Sequence, residues 1–268
     1  MGAKNANMSL NSYTMLVGLS VCIGLACVVW QIRTWAVLTH ALIVGICALV
    51  LGRMGYVALH WAYFANHTNE MLSLASPGFQ EHAALVGGLV GFWLWAKRDP
   101  SIANSPLPIV LCISLIGMAA SLGCIANGCA YGREVFWQSE GERSLAWRVA
   151  VDWPDAYGIN NPRLPTQLFM AGWLGVVGGM LLWIGRGDKG TRRQGDKTSP
   201  LLLVPLPPCL LWPLLFALGD FVIQFARADA SLVWAGLRAE QWLDVVFGTL
   251  AAAGIVRALW HGQTSART

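Results

Sequence analysis

The feature of this sequence that most limits its fold is a series of long apolar blocks with almost no charge. Several blocks run for roughly 16 to 22 residues, the length that a helix needs to cross about 30 Å of hydrocarbon. Only 12% of the 268 residues are charged, against about 25% in an average soluble domain. Because lipid offers the backbone no hydrogen-bond partner, each block must be a helix that satisfies its own polar groups. We therefore predict an all-α membrane protein with about seven transmembrane helices.

The distribution of Lys and Arg between the loops predicts how these helices are oriented. The predicted spans cover about residues 13–31, 35–52, 82–97, 106–126, 166–185, 201–226 and 237–259. The loops hold ten basic residues on one side and eight on the other, and the strongest bias is the basic run 185–197. Short basic loops stay in the cytoplasm. The N-terminus is therefore predicted outside and the C-terminus in the cytoplasm.

The longest predicted outer loop, residues 127–165, mixes charged and tryptophan side chains. Loops of this length tend to be either functional or disordered. The aromatic content favours an ordered, extracytoplasmic cap on the membrane surface. We predict that this cap is part of a single integral membrane domain that covers residues 1–268.

Charge and cysteine usage argue against two classes of function. The net charge is only +4 and no basic stripe is interleaved with aromatics, so nucleic acid is not expected as a partner. Most cysteines lie inside apolar runs, where cysteine acts as a small hydrophobe. The pair Cys124 and Cys129 is disfavoured as a metal or redox site, because no His or carboxylate ligand set accompanies it at useful spacing. No cofactor is predicted.

His82 opens the third predicted span and is followed by Gly87, Gly88 and Gly91. One interpretation is an interfacial histidine next to a glycine face that packs closely against another helix. The other is a proton acceptor at the membrane face, since imidazole changes its charge near neutral pH.

Polar residues at the ends of other predicted spans also have two interpretations. Arg163 and Gln167 either snorkel and cap a helix or bind a ligand. Asp220, Gln224 and Arg227 are spaced at i, i+4 and i+7, so they share one helix face, and such a stripe usually lines a cavity. Convergent polar groups in an apolar bundle indicate a binding site. On the predicted topology, those in the outer half of the membrane are His82, Asn127, Arg133, Arg163, Gln167, Arg227 and Gln241.

Six collinear motifs make the chain resemble the bacterial prolipoprotein diacylglyceryl transferases. They are residues 52–56 (GRMGY), 82–88 (HAALVGG), 123–133 (GCIANGCAYGR), 163–169 (RLPTQLF), 221–227 (FVIQFAR) and 236–242 (GLRAEQW). Tyr13 stands at the place of the family's first-helix tyrosine.

The resemblance implies a reaction, a location and a set of site residues. The reaction transfers a diacylglyceryl group from phosphatidylglycerol, or a related phospholipid, to the lipobox cysteine thiol near the signal peptide of a secreted prolipoprotein. The location is the bacterial plasma (inner) membrane. His82 is implied as the base, with Tyr13 as a second catalytic residue. The implied substrate-binding residues are Arg53, Asn127, Gly128, Arg133, Arg163, Gln167, Gln224, Arg227 and Gln241.

Two arginines of the family pattern are absent, because their positions hold Ser121 and Asp220. A glutamate of the pattern is replaced by Gln224. These departures keep a second hypothesis open, namely a non-catalytic relative that binds a lipid or a secreted protein. A transporter is the third hypothesis, and the absence of matched inverted halves argues against it.

Overall fold

Helices dominate the computed structural model, which describes residues 2–33, 35–72, 78–96, 106–136, 144–193 and 208–265. In this part of the chain the helices are α1 (Gly2–Ile32), α2 (Ala36–Leu59), α3 (Trp61–Phe64), α4 (Glu81–Ala96), α5 (Pro106–Asn127), α6 (Leu145–Val149), α7 (Thr166–Arg193), α8 (Pro208–Gln224) and α9 (Ala239–Ser265). Two antiparallel hairpins accompany them, formed by β1 (Val151–Pro154) with β2 (Asn160–Arg163) and by β3 (Val233–Trp234) with β4 (Leu237–Arg238).

The helices confirm the predicted class, an all-α protein of the membrane. Among the described residues, five helices are long and apolar enough to cross a bilayer: Tyr13–Gln31, Val37–Leu59, Leu107–Asn127, Thr166–Gly185 and Ala239–Trp260. The other two predicted spans correspond to the shorter apolar helices Glu81–Leu94 and Leu210–Gln224, so the count of seven stays a prediction. Their predicted limits at residues 97 and 201 lie outside the described residues.

The second span ends later than the sequence predicts. It was expected to end at residue 52, with Arg53 in the following loop, but α2 continues to Leu59 and contains Arg53. The prediction is wrong at this boundary because the Arg53 guanidinium does not need water as its partner. Instead, the Arg53 side chain finds carbonyl oxygens of the chain itself as partners.

The chain divides into two compact units, a small unit of residues 25–105 and a large unit of residues 1–24 with 106–268. In the small unit α2 packs against α4. The contact depends on glycine, because a Cβ added at Gly87 would meet the carbonyl oxygen of Cys47, and one at Gly91 would lie 2.8 Å from the Val44 Cα. The predicted glycine face for close helix packing is therefore present, as expected when small residues let two backbones approach in a membrane.

Neighbouring glycines of α4 provide a matched test of this packing. A Gly87→Ala variant is expected to lose about 1–3 kcal/mol of stability, since overpacking a tight contact forces the backbones apart. Gly88→Ala is the control, because the single neighbour of its added Cβ among the described residues would be the Val44 Cγ1, 3.9 Å away. Thermal unfolding in detergent measures both variants, and equal melting temperatures would contradict the glycine contact.

In the large unit, α5, α7, α8 and α9 pack against one another. Two tryptophan N–H groups tie these helices together: Trp212 donates to the Ser114 hydroxyl (2.7 Å) and Trp173 to the Leu215 carbonyl (2.9 Å). Large apolar side chains on the outside stay exposed, such as Trp183, with 77% of its surface accessible. Exposed apolar surface of this kind is characteristic of a face covered by lipid.

Candidate functional site

In the small unit, His82 lies in the first turn of α4 and is 1% exposed. Its Nδ1 lies 3.1 Å from the Nε2 of Gln80. The Oε1 of the same side-chain amide accepts a hydrogen bond from the backbone N–H of Ala83. The backbone N–H of Gln80 donates to the Gly52 carbonyl oxygen (3.0 Å). Gln80 therefore caps α4, anchors it to α2 and contacts the imidazole.

Arg53 of the small unit is 2% exposed, and its guanidinium binds the backbone of the segment that follows α3. It donates to the carbonyl oxygens of Glu70 (2.7 Å), Met71 (2.9 Å) and Gly78 (2.9 Å). The Arg53 guanidinium group also lies over the Phe64 ring, with 5.4 Å between its carbon atom and the ring centroid. These contacts give Arg53 a structural task, which is to fold this segment against α2.

In the large unit, backbone hydrogen bonds join three segments that are far apart in sequence. The hydrogen bonds run from Val135 N to Pro162 O (2.8 Å), from Leu164 N to Arg133 O (3.1 Å), from Arg133 N to Ala226 O (2.8 Å) and from Ala228 N to Tyr131 O (2.9 Å). The segment around Arg133 thus lies between those of Arg163 and Arg227. Three of the predicted substrate-binding arginines are therefore brought together by backbone pairing.

Arg163 is a buried ion-pair centre, with its side chain 7% exposed. Its Nη2 lies 2.6 Å from the Glu134 Oε1 and 3.1 Å from the Asp155 Oδ2, and its guanidinium lies over the Tyr131 ring. Hydrogen bonds from the N–H groups of the loop between β1 and β2, with the positive charge of Arg163, hold the pKa of Asp155 below its usual value. Burial raises the pKa of Tyr131 above its usual value.

Arg227 forms a second ion-pair cluster, in which Asp229 is shared with Arg238. The Arg227 Nε and Nη2 donate to the two Asp229 carboxylate oxygens (3.0 and 2.6 Å), and the Arg238 Nη2 donates to Oδ1 (3.1 Å). The Glu240 carboxylate lies 3.8 Å from the Arg238 Nε. The two guanidinium charges are thus balanced by two carboxylates. Arg133 is the most exposed of the three arginines.

The end of α5 carries a disulfide between Cys124 and Cys129. The sequence analysis did not predict this bond, which forms because the turn after α5 brings the two sulfurs together. The turn also supplies partners for α7: the Cys129 carbonyl accepts from the Gln167 Nε2 (2.9 Å), and the Ala130 carbonyl accepts from the Thr166 hydroxyl (2.6 Å). The disulfide therefore closes the turn that holds the predicted site residue Gln167.

Removing this disulfide is expected to lower the stability of the large unit. A Cys124→Ser/Cys129→Ser variant should lose about 2 kcal/mol, the amount expected for a disulfide that closes a short loop. Cys27→Ser is the matched control, because Cys27 is a free, exposed cysteine. A reducing agent should lower the melting temperature of the parent to that of the double variant. A melting temperature insensitive to reduction would mean that the pair is not oxidised.

The other predicted site residues of the large unit differ in their hydrogen bonds and packing contacts. Among the described residues, no partner hydrogen-bonds the buried Oδ1 of Asn127 or the buried Oε1 of Gln224. Gly128 has a φ of +62°, and a Cβ there would meet the Asp155 carbonyl oxygen. The Gln241 Nε2 donates to the Phe221 carbonyl (3.1 Å). A Cβ added at Gly123 would lie 2.6 Å from the Tyr13 ring.

The side chains at the two positions that depart from the family pattern both form hydrogen bonds within the protein. The Ser121 hydroxyl donates to the Gly117 carbonyl of its own helix (2.9 Å). Asp220 is 2% exposed, and its Oδ2 accepts from the Gln224 Nε2 (3.1 Å). In place of two arginines the chain thus has a helix-bonded hydroxyl and a buried carboxylate.

Sequence reasoning missed the groups that hold these side chains in place, namely Gln80, Glu134, Asp155 and Asp229. Two of them carried a local signal, since Gln80 precedes His82 by two residues and Asp229 follows Arg227 by two. The other two contact Arg163 only through the tertiary structure.

Comparison with known proteins gives one consistent result. The family model described as "Prolipoprotein diacylglyceryl transferase" matches residues 3–257. A protein of Cupriavidus pinatubonensis is 30% identical over 248 residues, which are 88% of this chain and 79% of that protein. One of Aromatoleum aromaticum is 29% identical over 219 residues, 78% of this chain and 73% of that protein. Both are named phosphatidylglycerol–prolipoprotein diacylglyceryl transferase.

Proposed function

Because this chain belongs to the prolipoprotein diacylglyceryl transferase family, we propose that it transfers a diacylglyceryl group from phosphatidylglycerol to the lipobox cysteine thiol of a secreted prolipoprotein. In this reaction a bond forms between the cysteine sulfur and a glyceryl carbon, and the bond from that carbon to the phosphate oxygen breaks. Glycerol phosphate leaves. The site must therefore hold a phosphate and accommodate a thiol beside it.

The observation that carries the proposal is the backbone pairing that sets Arg133 between the segments of Arg163 and Arg227. Arg163 is buried and Arg227 is partly buried, and both form ion pairs with carboxylates, so they shape the site. Arg133 has an exposed side chain on a backbone fixed from both sides. A guanidinium on such a rigid support suits a phosphate oxygen pair, which it binds with two parallel hydrogen bonds. Arg133 is accordingly the proposed phosphate ligand.

The remaining predicted residues have supporting roles in this proposal. Asn127 and Gln224 offer buried carbonyl oxygens that have no hydrogen-bond partner among the described residues, and such groups suit the hydroxyls of the lipid headgroup. Gln167, Gln241 and Gly128 keep the surrounding turns in place. His82 and Tyr13 are the proposed catalytic side chains. The role of His82 depends on which ring nitrogen carries the proton.

The disulfide supports the proposed location. Disulfides form and persist in oxidising compartments and are rare in the cytosol. A disulfide at the end of α5 therefore favours an extracytoplasmic position for the turn and for the cap 127–165. This agrees with an N-terminus outside and a C-terminus in the cytoplasm of the bacterial plasma (inner) membrane. This orientation supports a site on the side from which a secreted prolipoprotein approaches.

A transfer assay tests the proposal. The purified protein is reconstituted in phosphatidylglycerol vesicles with a peptide that contains a lipobox cysteine. We expect the peptide mass to increase by one diacylglyceryl group. Vesicles of phosphatidylcholine and a peptide with serine in place of the cysteine are the controls, and neither should react.

The second hypothesis is a non-catalytic relative that binds lipid, and the residues at 121 and 220 motivate it. Ser121 and Asp220 leave two fewer cations than the family pattern has, and Asp220 adds a buried acid. This hypothesis predicts that phosphatidylglycerol co-purifies with the protein while the peptide stays unmodified. Rescue of a strain depleted of its own transferase would exclude it.

A further inference from the structure

The Gln80 amide lies between two polar groups of the small unit, and this fixes its orientation. The backbone N–H of Ala83 can only donate, so the amide atom that faces it must be the oxygen. The amide nitrogen therefore faces the Nδ1 of His82, at 3.1 Å. A flipped amide would place its NH2 group against the Ala83 N–H, donor against donor. Both side chains are buried, with 5% of Gln80 and 1% of His82 exposed, so water does not offer an easy substitute.

The orientation of the amide determines the tautomer of the imidazole. An amide nitrogen donates hydrogen bonds and does not accept them, so the Nδ1 of His82 must present its lone pair to Gln80. A neutral imidazole has one proton, which then resides on Nε2. We propose that Gln80 is a positioning residue that holds His82 as the Nε2–H tautomer, so that the ring presents a hydrogen-bond donor at Nε2.

Two other histidines of the same unit have the opposite arrangement. The Nδ1 of His60 lies 3.0 Å from the Tyr56 carbonyl oxygen, and the Nδ1 of His67 lies 3.0 Å from the Tyr63 carbonyl oxygen. A carbonyl oxygen only accepts, so in both residues Nδ1 carries the proton. His82 therefore differs from both histidines, because its Nδ1 faces a donor.

This inference rests on the proposed function and changes the role of His82 within it. A base that takes the thiol proton at Nε2 needs a lone pair there, whereas the lone pair of the neutral ring is at Nδ1 and accepts from Gln80. The Nε2–H group suits a phosphate oxygen, whose negative charge grows as the carbon–oxygen bond breaks. The sulfur–carbon bond forms, the carbon–oxygen bond breaks, and the thiol proton leaves with the glycerol phosphate, whose second pKa of about 6 permits its protonation. His82 thus donates to the leaving group instead of removing the thiol proton.

Nitrogen NMR tests the tautomer without requiring activity. The protein is labelled with 15N-histidine in detergent micelles, and the His82 signals are assigned by their loss in His82→Asn. We expect an unprotonated Nδ1 and a protonated Nε2 for His82, with the reverse for His60 and His67 as internal references. A His82 spectrum of the same type as those of His60 and His67 would overturn the inference.

A Gln80→Glu variant reverses the hydrogen bond with little change of shape. One carboxylate oxygen still accepts from Ala83, while the other accepts from Nδ1–H, so the proton should move from Nε2 to Nδ1. The transfer rate should then fall by about tenfold or more, because a hydrogen bond to a charged group is lost. If His82 is instead a base at Nε2, the same variant should keep or increase the rate, and the inference fails.

The two assays separate the failure of this inference from the failure of the proposed function. If the parent protein has the expected spectrum but no transfer activity, the proposed function is wrong and the inferred tautomer of His82 is still supported. A parent protein that transfers lipid but shows the opposite tautomer contradicts only the role of Gln80. If Gln80→Glu does not fold, the spectrum of the parent decides alone.

Discussion

An Arg163→Met variant is expected to lose the ordered structure of the described part of the cap and much of the thermal stability of the large unit. The methionine preserves most of the apolar volume but leaves Glu134 and Asp155 without the cation that both carboxylates contact. Asp155 is the more buried of the two carboxylates, so the loss of this cation should clearly lower the melting temperature of the large unit.

Arg148→Met is the matched control, because Arg148 belongs to α6 of the same cap and its side chain is exposed. Its melting temperature should stay close to that of the parent, whereas Arg163→Met should melt well below both. A compensating Glu134→Gln change should restore part of the loss by removing one of the unpaired charges. If Arg163→Met and Arg148→Met melt together and only transfer is lost, Arg163 is a substrate ligand and not a structural one.

The fold class was predictable because a membrane imposes a simple rule on the sequence. A helix that faces lipid must be apolar over its whole length, so the long spans of α1, α2, α5, α7 and α9 are visible in composition alone. Their ends are less visible. Arg53 was predicted to lie just outside a helix, and only the tertiary structure reveals the carbonyl oxygens of Glu70, Met71 and Gly78 around it.

The sequence motifs name the candidate site residues but not the contacts that their side chains make. The motifs predict that Arg133, Arg163 and Arg227 belong to one site, and the backbone pairing brings their segments together. Which of these arginines form ion pairs was not predictable, because the partner carboxylates contact them only in the tertiary structure. Glu134 contacts Arg163 across 29 positions of sequence, a distance that no periodicity encodes. The capping of α4 by Gln80 was missed for a different reason, because glutamine is not a typical N-cap residue.

A His82→Asn variant is expected to abolish diacylglyceryl transfer while the small unit stays folded. Asparagine is long enough to present an amide atom near the former position of Nδ1, and its carbonyl oxygen can accept from Gln80, so the start of α4 keeps its anchor. It is too short to reach the former position of Nε2. The transfer rate should therefore fall by about a hundredfold or more, the usual contribution of a positioned proton donor or acceptor.

His60→Asn is the control for this experiment, because it replaces another histidine of the small unit that lies outside the proposed catalytic group. The two variants should have similar melting temperatures, and only His82→Asn should be inactive in the vesicle assay. Normal transfer by His82→Asn would remove the imidazole from the reaction. An inactive His60→Asn would mean that the assay responds to the fold of the small unit. A folded but inactive His82→Asn beside an active His60→Asn assigns the loss to the Nε2 side of one ring, because that atom is the part of His82 that asparagine does not replace.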